Sequence, residues 1–364
     1  MTVSIIYSEK LKDYDFGPGH PFRGDRFSNF MKFFSKELIP TQRFKVLLNN
    51  EPATDGDLML WHDIDYIQAM KMASIGQPPP DLYRFISGDN LNPSTRSFPI
   101  GIENAARVVV KNSMLACDLV AEGKFEKAVS IGGGLHHARP RYGEGFCVYN
   151  DVVIAGKHLI KDCNMKRILI LDTDAHAGNG TCEAFYADPR VLFIDLHQRN
   201  IYPGTGYEEE IGEGEGKGFT VNIPLPAFAG NIAYKQAFEE IILPLVKEFN
   251  PQFIIRNGGS DPHPSDEITQ LGLTLPGFRY IGRTVREIAE RCDGKEVDLI
   301  CSGYKPEVLT KTWATLIAGL ANIEVEFEEP TPVKIEEDSG LEWVKKTVEK
   351  IRKNLRPYWK CMTN

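Results

Sequence analysis

The chain has 364 residues, with 42 Lys and Arg against 50 Asp and Glu, a formal net charge of −8. Its 42% apolar and 25% charged content is ordinary globular composition and excludes a disordered or fibrous protein. The acidic balance also excludes the basic footprint that nucleic acid demands.

No apolar run approaches the ~18 residues of a membrane span. The first residues show neither a basic leader nor a long apolar core. The 7 cysteines are scattered, with no Cys-x-x-Cys pair, which suits a reducing cytoplasm better than a disulfide framework or a cysteine zinc site. A soluble cytoplasmic enzyme is the expected class, with no nucleic-acid or membrane partner; the sequence leaves the oligomeric state open.

The first hundred residues are rich in Pro, Gly and aromatics. Turn signals at 16–22 and 78–80 predict a rim and loops wrapped around the main domain. A helical pattern over roughly 102–122 precedes a short apolar run at 128–131 that enters Gly132-Gly133-Gly134-Leu135-His136-His137. Further helices are predicted at 151–162, 232–248 and 276–292; in the last, Phe278, Ile281, Val285, Ile288 and Ala289 recur at helical spacing. Four more apolar runs follow the same plan: 167–171 enters Asp172, 191–194 enters Asp195, 253–255 enters Arg256, and 297–300 enters Cys301. Such alternation means βα units, hence a three-layer α/β/α domain around a mostly parallel sheet. The tail from about 324 is charged until Leu341, Val344, Val348, Ile351 and Leu355 mark a one-sided helix. The expected division is a catalytic domain over 1–322 and a charged linker with a docked helix over 323–364.

Ligands of such sheets bind outside the carboxyl ends of the strands, and the unusual residues fall there. Asp172, Asp174 and His176 stand at i, i+2 and i+4, one face of an extended backbone, and carry donors suited to zinc, iron, manganese or nickel. The competing reading is a turn cluster that caps the next helix. Asp261, after Gly258-Gly259, is the closing partner. His136 and His137 can act as general base and acid, or be two solvated loop residues. Tyr304 offers a phenol to a developing oxyanion. His20, His62 and His158 lack such surroundings, and the last two read as structural. Together the strand-end groups describe a hydrolase that activates water on a metal.

These stretches, with Gly145-Phe146-Cys147, Asp172 through Gly180, Tyr202-Pro203-Gly204, Asp261 with Asp266, and His20 through Arg26, resemble the arginase-like metal-dependent deacetylases. That is the histone deacetylase family with its acetoin-utilization and acetylpolyamine amidohydrolase relatives; the resemblance spans about 5–322. It implies zinc or ferrous iron on Asp174, His176 and Asp261, and proton transfer by His136 and His137 with Asp172 and Asn179 as their partners. It further implies Tyr304 at the oxyanion and Phe146, Gly145 and Tyr202 along a narrow acyl-lysine channel. Asp89 would hold substrate at the rim, and Arg26 would lie beneath the metal beside the acetate pocket. A structural potassium is implied near Asp172, Asp174, His176 and Asp195. Three features depart from the pattern: Ala177 replaces a common second histidine, Cys301-Ser302-Gly303 shortens a glycine run, and His263 is unusual.

The expected reaction is removal of an acetyl or related acyl group from acetyl-lysine or a small acylated amine such as an acetylpolyamine. The rivals are a two-metal ureohydrolase, for which only Asp195 and His197 are spare, and a non-catalytic acyl-lysine-binding protein.

Overall fold

The computed structural model describes residues 2–330 and 340–363. Eight strands form one sheet: β1 (Val3–Tyr7), β2 (Phe44–Leu48), β3 (Lys127–Ile131), β4 (Ile168–Asp172), β5 (Val191–Gln198), β6 (Thr220–Leu225), β7 (Phe253–Gly258) and β8 (Glu296–Ile300). Their order is β2-β1-β3-β8-β7-β4-β5-β6, and every adjacent pair is parallel.

Side chains alternate across a strand, and this alternation builds the layers. Ile168 and Ile170 join one apolar cluster, with Cys117 and Val120 of helix Ile102–Ala121 and Val152 and Leu159 of helix Asp151–Lys161. Leu169 and Leu171 join the other, with Phe278 and Ile281 of helix Leu275–Ala289 and Trp313 of helix Pro306–Leu320. Each fully buried Leu, Ile, Val or Phe contributes roughly 1.5–3 kcal/mol. β4 is therefore apolar on both faces, as its predicted run was.

Three strands lie outside those five runs. The first hundred residues are more than rim and loops, because they contribute β1 and β2 as well as helix Asp25–Glu37. β1 is buried along its whole length, whereas β2 is a half-exposed edge strand. β6 contains Pro224, a residue that argues against a strand. It is tolerated because β6 is the opposite edge, where a missing N–H breaks no ladder. The predicted helix over 232–248 is divided by a π-helical turn at Phe238–Ile242, just before Pro244, which has no N–H to give to a preceding turn.

The helix Leu341–Leu355 buries Val344, Val348, Ile351 and Leu355 and lies against β6. Among the described residues, no helix is long and apolar enough to cross a membrane.

Candidate metal and histidine site

Strands β3, β8, β7, β4 and β5 are neighbours in mid-sheet, so the segments that follow them converge on one place. β4 and β7 pair Asp172 with Asn257, which brings the residues just beyond them together. His176 Nδ1 lies 3.2 Å from Asp174 Oδ1 and 3.1 Å from Asp261 Oδ2. All three residues are buried, and their donor atoms lie within 4.8 Å of one another. Burial and the adjacent Asp174 push Asp261 up to about 7. Asp174, despite its burial, is held below the usual carboxylate range by His136 and His176. Two buried carboxylates facing one imidazole fit a divalent transition metal, whose charge would offset their repulsion. Ser302 strengthens this set, since its Oγ donates to Asp261 Oδ1 at 2.6 Å, a bond that a glycine at that position could not make.

The turn carrying the histidines is pinned by Asp151, whose carboxylate accepts from Gly134 N at 3.0 Å and Leu135 N at 2.8 Å. Gly134 has φ of 122°, and a Cβ there would lie 2.3 Å from Asn257 Oδ1, so only glycine fits. His136 Nδ1 donates to Asp172 Oδ2 at 2.8 Å, and Asn257 Nδ2 donates to the same oxygen at 2.8 Å. The two imidazoles meet at 3.0 Å, Nε2 to Nε2. His137 Nδ1 lies 2.7 Å from Asn179 Oδ1, and Asn179 Nδ2 donates to Glu144 Oε1 at 2.9 Å.

These contacts determine where the protons sit. Glu144 Oε1 accepts from Arg139 Nε at 2.9 Å as well, and the Asn179 amide turns its NH₂ toward Glu144 and its oxygen toward His137. His137 must then carry its proton on Nδ1 and present the Nε2 lone pair to His136. His136 faces Asp172 through Nδ1 and His137 through Nε2, so both of its nitrogens meet acceptors. The electrostatics agree. Although burial lowers it, His136 is lifted to about 9 by Asp172 and Asp174. Burial, then His136 and His176, hold His137 well below the ordinary histidine value.

Tyr304 follows β8; its backbone N–H is fixed by Asp266 Oδ2 at 2.8 Å, and its ring packs edge-on against Phe146 at 5.7 Å. Burial and the charges of Asp261 and Asp174 keep its hydroxyl protonated. A cavity of about 20 Å³ is lined by Phe22, Leu135, His137, Cys147, His176 and Tyr304. Gly145 approaches so closely that a Cβ would lie 2.2 Å from His137 Cδ2. Phe146 beside it has φ of 65° and is anchored through its carbonyl, which accepts from Tyr14 Oη at 2.7 Å. The Tyr202 ring meets His137 at 5.1 Å. Asp89 Oδ2 accepts from Gly145 N at 3.0 Å, which places Asp89 beside this wall.

Arg26 lies under Tyr304, its guanidinium 5.2 Å from that ring, and donates to the carbonyl of Gly303 at 2.8 Å. A second cavity of about 280 Å³ borders Arg26, His20 and Tyr304. Asp195 is committed to His197 Nδ1 and Gly178 N, both at 2.8 Å. Ala177 lines a cavity of about 260 Å³ together with Asn179 and Asp195. His263 is turned away from the metal triad, with Nε2 2.6 Å from Glu329 Oε1.

Glu144, Asn257, Asp151 and His20 belong to the site's support, and the sequence reading did not single out these roles. His20 Nε2 donates to the Asp89 carbonyl at 2.8 Å while its ring packs 4.6 Å from Phe146. Their local patterns are ordinary, and only the neighbours brought by the fold reveal them.

Residues 20–320 match the histone deacetylase domain, and the chain belongs to that family. It is 36% identical over 370 aligned positions to a probable deacetylase of Archaeoglobus fulgidus, covering 99% of each chain. It is also 34% identical over 324 positions to the acetoin utilization protein AcuC of Staphylococcus aureus, covering 87% of this chain and 81% of that one. Among solved structures, the HD domain of HDA15 shares the fold, with a TM-score of 0.84 at 22% identity and coverage of 99% and 96%.

Proposed function

We propose that the chain is a metal-dependent amidohydrolase that removes an acetyl or related acyl group from an amine such as acetyl-lysine. The observation that carries this reading is the buried Asp174, His176 and Asp261 triad beside two imidazoles that meet Nε2 to Nε2, one backed by Asp172 and the other by Asn179. A zinc or ferrous ion bound there would polarise the amide carbonyl and acidify a water. His137, its ring held by Asn179 through Nδ1, would serve as base through Nε2 once that nitrogen turns from His136 toward the water. His136, kept protonated by Asp172, supplies a proton for the departing amine. The Tyr304 hydroxyl donates to the oxyanion that develops on the substrate.

Phe146 and Tyr202 flank the aliphatic chain, Gly145 keeps the channel narrow, and Asp89 receives the substrate at its rim. Arg26 braces the Tyr304 loop and borders the space into which acetate departs. A structural potassium near the backbone carbonyls of Asp172, Asp174 and His176, with Asp195 where the family commonly has a hydroxyl ligand, completes the reading.

The carboxylate of Asp89 beside the Gly145 wall favours an amine that carries positive charge, so an acetylpolyamine is the second candidate substrate. The test uses metal-stripped protein, alone and reconstituted with zinc or ferrous iron, against acetyl-lysine peptide, longer acyl-lysines, acetylputrescine and acetylspermidine. Metal-dependent amine release is expected, and the best substrate separates protein from polyamine. No release with any metal would overturn the proposal.

A further inference from the structure

A second group of donors lies at the other end of helix Asp151–Lys161. Its 11 residues, about 16 Å of helix, separate this end from Asp151 and the histidine turn. His158 is buried between two carboxylates: Nε2 is 2.6 Å from Asp118 Oδ1, and Nδ1 is 2.8 Å from Asp162 Oδ2. Cys163 adds a free thiol, and donor atoms of Asp118, His158 and Cys163 lie within 4.8 Å of one another. Asp118 belongs to the last turn of helix Ile102–Ala121, so two helix C-termini converge here, and their partial negative charge favours a cation.

An ion-paired histidine needs no cysteine, and the thiol distinguishes this group from a simple surface triad. Carboxylate, imidazole and thiolate are a zinc-type donor set. Asp162 stands where a carboxylate commonly orients a ligating imidazole by accepting its second N–H. Asp118 and Cys163 are partly exposed, which leaves a solvent side for entry and for a water ligand.

We propose that Asp118, His158 and Cys163 form a second site for a divalent transition metal such as zinc, with Asp162 orienting His158. The site is separate from the triad of Asp174, His176 and Asp261, and it depends on no catalytic role.

The test is titration of the metal-stripped full chain with Co²⁺ while near-ultraviolet absorbance is followed. The triad at the sheet edge contains no sulfur, so a thiolate-to-cobalt band reports a cysteine site. The band is expected to appear in the parent, persist in His176→Ala, and vanish in Cys163→Ser. Asp162→Asn is expected to weaken cobalt binding at this band by about 10- to 100-fold while leaving its amplitude at saturation. It gives a decisive reading even where Cys163→Ser does not fold. Absence of a thiolate band at saturating cobalt, a band that survives Cys163→Ser, or unchanged affinity in Asp162→Asn would overturn the proposal.

Discussion

His62 and His137 are both buried imidazoles whose proton affinity is pushed down, yet their surroundings differ in kind. His62 is tied on both sides to backbone: Nδ1 donates to the Arg139 carbonyl at 3.0 Å, and Nε2 accepts from Asn150 N–H at 3.0 Å. Its ring is a brace at the entry to helix Asp151–Lys161, sealed and without spare capacity. His137 is tied to side chains, and it lines the cavity that reaches His176 and Tyr304. Burial alone therefore marks neither a structural nor a chemical histidine. The difference lies in whether the second nitrogen meets a fixed backbone group or another titratable side chain beside open space.

Substitutions sharpen this contrast. The largest effect is expected for His137→Ala, which should reduce kcat by roughly 10²- to 10⁴-fold in steady-state assays with metal content unchanged. A variant within threefold of the parent would refute the base. Tyr304→Phe should cost about 10²- to 10³-fold, again with metal retained, since it removes one oxyanion donor.

His62 should instead reveal itself in stability. Burial places its folded pKa at about 3, below the ordinary value of 6.5. Between those values the unfolded chain binds the proton and the native state does not, so stability is present above about 6.5 and is lost as pH falls toward 3. This one group should remove about 2 kcal/mol between pH 7 and pH 5. Urea midpoints of the parent and His62→Gln at both pH values measure it; equal pH slopes would count against the assignment.

The smallest effect is expected for Glu144→Gln. A neutral amide no longer dictates which way Asn179 turns, and a loss of about tenfold in kcat, near 1.4 kcal/mol, is expected with little change in KM. A change confined to KM would make Glu144 a substrate contact instead.

Much of the molecule was legible beforehand because its signals are local. The runs before Gly132, Asp172, Asp195, Arg256 and Cys301 are apolar over successive residues, as strands covered on both faces must be. Of the i, i+2, i+4 set only Asp174 and His176 face Asp261; Asp172 turns to His136 instead, because the strand ends at Asp172 and the backbone bends over 174–176, so the three no longer share one extended face. β1, β2 and β6 escaped notice for opposite reasons: β1 and β2 sit among turn signals, and β6 carries a proline that only its edge position excuses. The cysteine and serine before Tyr304, departures when read in sequence, gain a physical role in Ser302's bond to Asp261.

By itself, the sequence determined the types of donor and the strands that would carry them, since both follow from residue identity and short-range periodicity. Which imidazole has its proton affinity raised and which lowered was decided only by the tertiary structure. That outcome depends on Glu144 reaching Asn179, 35 residues away, and on Asn257 reaching Asp172, 85 residues away. Hydrogen-bond direction passes along such a chain one acceptor at a time, and no local pattern encodes which acceptor stands at its end.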